Sequence, residues 1–134
     1  MASESKAALL DSLLAKHQYH AVIVQTTRLK TTFPRNGLWW LASARAAFAL
    51  GHLQMARSDI SYALRLLPNH PPSRLLNAAI EHRLGHTSAA ITELQSLVAA
   101  GGSLQIEATI VLAEVLARSR QSDELDRLIA SGGP

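Results

Sequence analysis

The chain contains no cysteine. That absence excludes disulfides, thiolate nucleophiles and cysteine-ligated zinc together, and it accords with a reducing, cytoplasmic setting. Aromatic residues are nearly as scarce, with two each of Trp, Tyr and Phe in 134 residues. Leu, Ala, Ile and Val must therefore fill the core, and Ala and Leu are also strong helix formers. Charge is thin too: 17% of residues are charged and the formal net charge is +3. No Lys/Arg cluster reaches the density of a nucleic-acid footprint, so no nucleic-acid partner is expected. No run approaches the roughly 18 apolar residues of a membrane helix, so no membrane partner is expected either. The opening Met1 to Lys6 has no basic stretch leading into an apolar one, as a secretory leader would. What is present, 48% hydrophobic residues in a chain of this length, suits one folded domain with a real core.

The chain repeats itself. Pro34, Pro68 and Gly102 are spaced by 34 residues, and so are Gly51 and Gly85, each followed by a histidine, His52 and His86. Five residues beyond each of these glycines lies an alanine, Ala56 and Ala90. The blocks Gly37 to His70 and Pro71 to Leu104 superpose without a gap. A period of this length is the mark of a stacked repeat array.

Between the breaks the segments read as helices. Leu9, Leu10, Leu13 and Leu14 follow the i, i+3, i+4 pattern, as do Leu75, Leu76, Ala79, Ile80 and Leu84. The expected helices are 4–16, 19–31, 37–50, 54–67, 72–84, 87–100, 104–118 and 122–131. Glycine falls just past a helix end at Gly51, Gly85 and Gly101, where a left-handed residue is wanted. Asn36, Asn69, Ser103 and Ser122 are the candidate N-caps. The second segment carries β-branched Val22, Ile23, Val24, Thr26 and Thr27, which favour strands. A short strand without a partner is still the weaker reading there, because a helix would be held by its repeat neighbours.

Paired helices on a strict 34-residue period resemble the tetratricopeptide repeat family, whose pattern is a Trp, a Leu-Gly, a Tyr, a small Ala, a Phe and a closing Pro. In the second block Trp40, Ala56, Ile60 and Pro68 take the Trp, Ala, Phe and Pro places. Ser43 and Ala44 replace Leu-Gly, and Ala47 replaces Tyr. Asn77-Ala78, Glu81, Ala90 and Leu94 correspond in the third block. Leu9-Leu10, Leu13, Val22, Thr26 and Pro34 correspond in the first. The fourth fits after a one-residue insertion near Ser103, through Leu112-Ala113, Leu116, Leu125 and Ile129. The resemblance implies an all-α solenoid of about eight antiparallel helices with a concave groove. It also implies one repeat domain over 1–134, with repeats at about 3–36, 37–70, 71–104 and 105–131. Ala44, Ala56, Ala63, Ala78 and Ala90 would be the points of close helix approach.

Candidate chemistry is sparse. His17 and His20 lie three apart, and His82 and His86 four apart, but a zinc site needs three or four converging ligands. Gly85 interrupts the second pair, and His52 and His86 are turn residues at equivalent repeat positions, so no metal is expected. There is no Gly-x-Ser-x-Gly elbow and no His-Glu-x-x-His. Gly101-Gly102-Ser103 precedes a helix without a following Lys, and reads as a plain turn. Asp11, Glu81, Glu107 and Glu114 are spread over the first, third and fourth repeats and are expected mostly in solvent. Neither catalysis nor a cofactor is expected. Trp40 belongs to the core, and Trp39 should lean toward the joint with the first repeat.

In the resembled family the variable inward positions of each first helix face the ligand. On this chain they fall at Glu4, Ala7, Asp11 and Leu14, then at Leu38, Leu41, Arg45 and Phe48. They continue at Leu75, Ala79, His82 and Arg83, and in the fourth repeat at Glu107, Ile110, Glu114 and Arg118. The family's carboxylate clamp of Lys, Asn and Arg is missing: Ala7, Asp11, Ala42, Pro72 and Leu76 occupy those places. What remains is an apolar floor of Leu38, Leu41, Phe48 and Leu75, with Arg45 and Arg83 above it and Ala79 and His82 beside it. An apolar patch of this kind marks a contact surface. The expected function is a non-catalytic scaffold or adaptor that binds a protein or peptide partner in the groove. The alternatives are an amino-terminal regulatory or oligomerisation region of a larger enzyme, such as a bacterial transferase, and a small secretion chaperone. Leu125, Leu128 and Ile129 leave the last helix only partly capped by Asp123, Asp126 and Arg127, so weak self-association at high concentration is also expected.

Overall fold

A computed structural model describes residues 2–130. Among the described residues the chain forms seven α-helices and no strand. They are α1 (Ala2–Ala15), α2 (Tyr19–Thr32), α3 (Gly37–Ala49), α4 (Leu53–Leu66), α5 (Pro71–Arg83), α6 (Thr87–Ala100) and α7 (Gln105–Ala130). The first six form three antiparallel hairpins, stacked so that α3, α5 and α7 are successive first helices.

Each hairpin is made by one left-handed residue. His17, Gly51 and Gly85 have φ of 59°, 80° and 94°. In each case the next residue donates its N–H five positions back: Gln18 to the Leu13 carbonyl at 2.9 Å, and His52 to Ala47 and His86 to Glu81 at 2.8 Å each. This bond satisfies a helix-end carbonyl while turning the chain around. Glycine adopts the conformation without steric cost, and His17 does so at a cost.

The expected fourth hairpin is not formed. With the one-residue offset, Arg120 stands where Gly51 and Gly85 stand in the earlier repeats. The helix runs on through this position, and the segments expected at 104–118 and 122–131 merge into α7. Ser122 therefore lies inside a helix and caps nothing. Asn69 is not a cap either: it takes a left-handed turn conformation, φ 65°, and His70 precedes α5. Ser103 lies in the turn two residues before α7 begins. Asn36 does cap α3, accepting the Leu38 N–H at 3.1 Å. The β-branched segment is helical as expected. Thr26, Thr27 and Thr31 turn their hydroxyls onto the carbonyls of Val22, Ile23 and Thr27, four residues back, while Val22 and Thr26 are fully buried.

The core consists of three clusters, and each spans three consecutive helices. Leu10, Val22, Leu29, Trp39, Ala42 and Ala46 join α1, α2 and α3. Leu41, Ala44, Ala47, Ala56, Ile60, Ala63 and Ile80 join α3, α4 and α5. Ala78, Ala90, Leu94 and Val115 join α5, α6 and α7. No hairpin closes its own core, so stability comes from stacking. The five alanines expected at close approaches are all buried, at 0–1% exposure. Trp39 is buried in the joint with the first repeat, as expected. Trp40 packs only partly against the middle cluster. Its indole N–H donates to the Pro34 carbonyl at 2.9 Å, and its ring stacks on Tyr62.

One polar network runs through this apolar stack. Lys30 of α2 donates to Ser43 Oγ of α3 at 3.1 Å and to Asp59 Oδ1 of α4 at 3.2 Å. Ser43 Oγ donates to Asp59 Oδ2 at 2.6 Å. Lys30 also lies 4.8 Å from the centre of the Trp40 ring. Asp59 is 4% exposed and Ser43 fully buried, so the three groups satisfy one another where water does not. Ser43 is one of the departures from the repeat pattern, and here it is the hydroxyl that links lysine to carboxylate.

Removing one partner of a buried pair strands the other. Asp59→Ala should therefore cost about 3–5 kcal/mol, read as a lowered denaturation midpoint. Ala56→Leu should cost about 1–3 kcal/mol by overpacking the α3–α4 contact. An unchanged midpoint for the second variant would mean that α4 does not sit in this register.

Candidate functional site

The first helices line up on one side of the stack and leave three clefts between them. The first, about 150 Å³, is walled by Ala7, Leu10 and Asp11 of α1 and by Leu38, Trp39, Leu41, Ala42 and Arg45 of α3. The second, about 200 Å³, lies between Arg45 and the α5 residues Pro72, Leu75, Leu76 and Ala79, with Leu104 and Glu107 at its end. The third, about 250 Å³, is walled by Phe48, by Ala79, His82 and Arg83, and by Val111, Glu114, Val115 and Arg118 of α7. Arg45 is common to the first two and Ala79 to the last two, so the clefts join into one trough. A larger depression of about 680 Å³ lies over the α2–α3 turn from Phe33 to Leu38 and against Leu67, and meets the first cleft at Leu38.

All eight residues singled out from the sequence line this trough, but they do not contribute alike. Leu38 is 45% exposed, whereas Leu41 is only 4% exposed. Leu41 is a core residue whose edge shows at the cleft, not the open anchor expected. Phe48, Leu75 and Ala79 are half-buried, the state of a floor. His82 is held by its Nδ1, 3.2 Å from Thr87 Oγ1, which draws the ring toward the start of α6. Arg83 lies with its guanidinium carbon 5.3 Å from the centre of the Phe48 ring, a cation–π distance. Arg45 and Arg83 are both exposed.

The inward positions of the other repeats are placed unevenly. Ala7, Asp11, Glu107, Glu114 and Arg118 reach the trough. Leu14 packs against the first core cluster instead. Ile110 lies outside the clefts and is 54% exposed. Glu4, Leu125 and Leu128 lie outside the residues whose side chains are described. Pro72 and Leu76, at the places of the family's clamp, also wall the trough, whereas Leu104, Val111 and Val115 had no inward position in the repeat pattern, and only packing brings them there. Asp11, Glu107 and Glu114 are exposed, as expected of acidic residues without partners in the core. Glu81 is not: it is half-buried, 3.8 Å from Arg57 and 2.6 Å from His86, and ties α5 to α4 and to its own turn. Among the described residues no three His, Cys, Asp or Glu side chains come together as a metal site would require. No helix among them is long and apolar enough to cross a membrane.

Stacked antiparallel hairpins with a trough along their first helices define a helical-hairpin repeat fold of the tetratricopeptide-like kind. Among solved structures the chain is similar to PcrH, crystallised in complex with the chaperone-binding region of PopD. The TM-score is 0.73 at 20% identity, over 88% of this chain and 93% of that one. No protein-family model and no curated protein sequence matches the chain.

At the edge of the trough His70 precedes α5 with its Nδ1 2.8 Å from the buried Ser73 Oγ. Burial first, and the Arg45 guanidinium second, hold its imidazole below the ordinary value of 6.5. The unfolded chain then binds this proton more readily than the folded one. His70 therefore contributes a loss of stability as pH falls through 6.5, and no penalty well above it. His70→Asn should make the decline in stability between about pH 7.5 and pH 5 shallower, measured by denaturant titration at each pH. An unchanged slope would mean that His70 takes up its proton as freely in the folded chain as in the unfolded one.

Proposed function

We propose that the chain is a member of the tetratricopeptide repeat family, one repeat domain over 1–134, that works as a non-catalytic scaffold or adaptor in the cytoplasm. Its trough holds a peptide segment or helix of a partner protein, and no cofactor takes part. The observation that carries this reading is the continuity of the three clefts: an apolar floor of Leu38, Phe48, Leu75 and Ala79 runs past two exposed guanidinium groups. Such a surface suits an occupant with two or three apolar anchors, in the helix-in-groove manner. Arg45 can take a carboxylate through two parallel hydrogen bonds, so the occupant carries at least one Asp or Glu. Glu107, Glu114 and Arg118 at the far end set its direction, since a basic residue there meets acidic groups and an acidic one meets Arg118.

A secretion chaperone that keeps a partner's segment covered is the second reading. The likeness to PcrH, solved with a chaperone-binding region of another protein, favours it over the enzyme-appendage alternative. Both readings use the same trough.

The test is a display library of short peptides selected on the immobilised intact chain, with the selected peptides titrated against variants. Arg45→Glu should weaken binding about tenfold or more without unfolding, since an exposed charge adds little to stability. Phe48→Ala should cost about 2 kcal/mol or more, the loss of an anchor contact. Arg65→Glu, on α4 outside the trough, should change nothing. Binding that survives both trough variants and fails with Arg65→Glu would move the site to the other face.

A further inference from the structure

The trough does not end at its first cleft. Leu38 walls both that cleft and the depression of about 680 Å³ over the α2–α3 turn. Besides Leu38, the depression is lined by Phe33, Pro34 and Arg35 of the turn and by Leu67, the residue after α4. Phe33 is 55% exposed. It is one of two phenylalanines in the chain, and the other, Phe48, lies in the trough floor. Arg35 is exposed as well, and among the described residues no carboxylate pairs with it.

The turn that carries these residues is held by its own hydrogen bonds. The Phe33 N–H donates to the Leu29 carbonyl at 2.7 Å, and the Asn36 N–H donates to the Phe33 carbonyl at 3.1 Å. The Asn36 side chain accepts from the Leu38 N–H, and the Pro34 carbonyl accepts from the Trp40 indole. These bonds use the turn's polar groups within the chain, so what it offers a partner is side chains rather than backbone. Leu67 is seated by Gly37: a methyl group there would lie 2.6 Å from Leu67 Cγ. Side chains on a turn so fixed lose little freedom on binding, and that favours affinity.

We propose that the partner segment seated in the trough continues past Leu38 and anchors a large apolar side chain in this depression, beside an Asp or Glu that meets Arg35. This rests on the trough reading and names what the occupant carries at one end. The two hollows share Leu38, so their anchors lie close together in the partner's sequence. They are roughly two or three residues apart if that stretch is extended, at about 3.3 Å per residue. The depression is roomier than the first cleft, about 680 Å³ against about 150 Å³, and so takes the larger side chain. Its lining is apolar apart from Arg35 and Asn36. The Asn36 side-chain oxygen is already engaged by Leu38, which leaves Arg35 as the charged group facing the occupant. A guanidinium takes a carboxylate through two parallel bonds. A Lys or Arg beside the anchor would meet it unfavourably.

The test uses the full 134-residue chain. It starts from a short peptide selected on that chain whose binding Arg45→Glu and Phe48→Ala weaken. Randomised flanks are added to both ends of this peptide, and the selection is repeated. One flank should return a large apolar residue close to an Asp or Glu, and the extended peptide should bind about tenfold or more tighter than the short one. Phe33→Ser should remove that gain and leave the short peptide's affinity unchanged. Arg35→Glu should remove about threefold of it, the scale of one exposed ion pair. Both positions are exposed, so helicity and the denaturation midpoint should hold. Flanks that bring no gain overturn the proposal and leave the trough reading standing. So does a gain that Phe33→Ser and Arg35→Glu both spare. If no selected peptide responds to the trough variants, the trough reading fails and this proposal falls with it.

Discussion

A helix that must double back within three residues needs one of them in the left-handed region, and this chain supplies such a residue at 17, 51 and 85. Everything else in the architecture depends on those turns. Each brings the end of one helix beside the start of the next, and each uses the same bond from an N–H to a carbonyl five residues earlier. Where the position passes to Arg120, the turn is lost and the helix continues to the end of the described chain. A side chain at positive φ is strained where glycine is not, so Arg120 disfavours the turn, although His17 adopts it at that cost.

The hairpins alone would not hold. Alanines at the crossing points let the helices come close, and the three core clusters each borrow from the next hairpin, so the stack is stable only as a stack. Into this apolar arrangement the chain sets one charged link, Lys30 to Asp59 through Ser43. A buried pair of this kind adds little net stability over apolar replacements, but it is costly to break. It binds α2, α3 and α4 at one point and so orients the α3 helix that carries Leu38, Arg45 and Phe48. The trough inherits its geometry from that orientation. Its spacing comes from the repeat, and its floor from half-buried side chains that finish the core on one side and meet solvent on the other.

Much of this was open to reading in the linear chain. The period, the helix pairs, the buried alanines at 56 and 90, the left-handed glycines and the row of inward residues all rest on local spacing. A turn is decided within about six residues, and a helix face repeats every three or four. The errors have the same origin. Ser122 looked like a cap because its neighbours suit a helix start, but a cap requires that the preceding helix has stopped, and nothing at residue 120 stops it. Asn69 looked like a cap because its amide suits one, but the turn needed it in the left-handed region.

Other features could not be read from spacing. Lys30, Ser43 and Asp59 lie 13 to 29 residues apart, and no periodicity singles them out. Leu41 and Leu38 are equally apolar and three residues apart, yet one is core and the other open, because α1 and α5 approach α3 from particular directions. The His82 ring at the trough wall is held by Thr87 for the same kind of reason. The sequence by itself determined the repeat, the helices and the side of the stack on which the trough lies, since each is fixed by contacts between near neighbours along the chain. Only the tertiary structure decided which of those residues are floor, wall or core, and that α7 runs straight past its expected turn. Those outcomes depend on how whole helices pack, and packing sums contacts between residues that are distant in the chain.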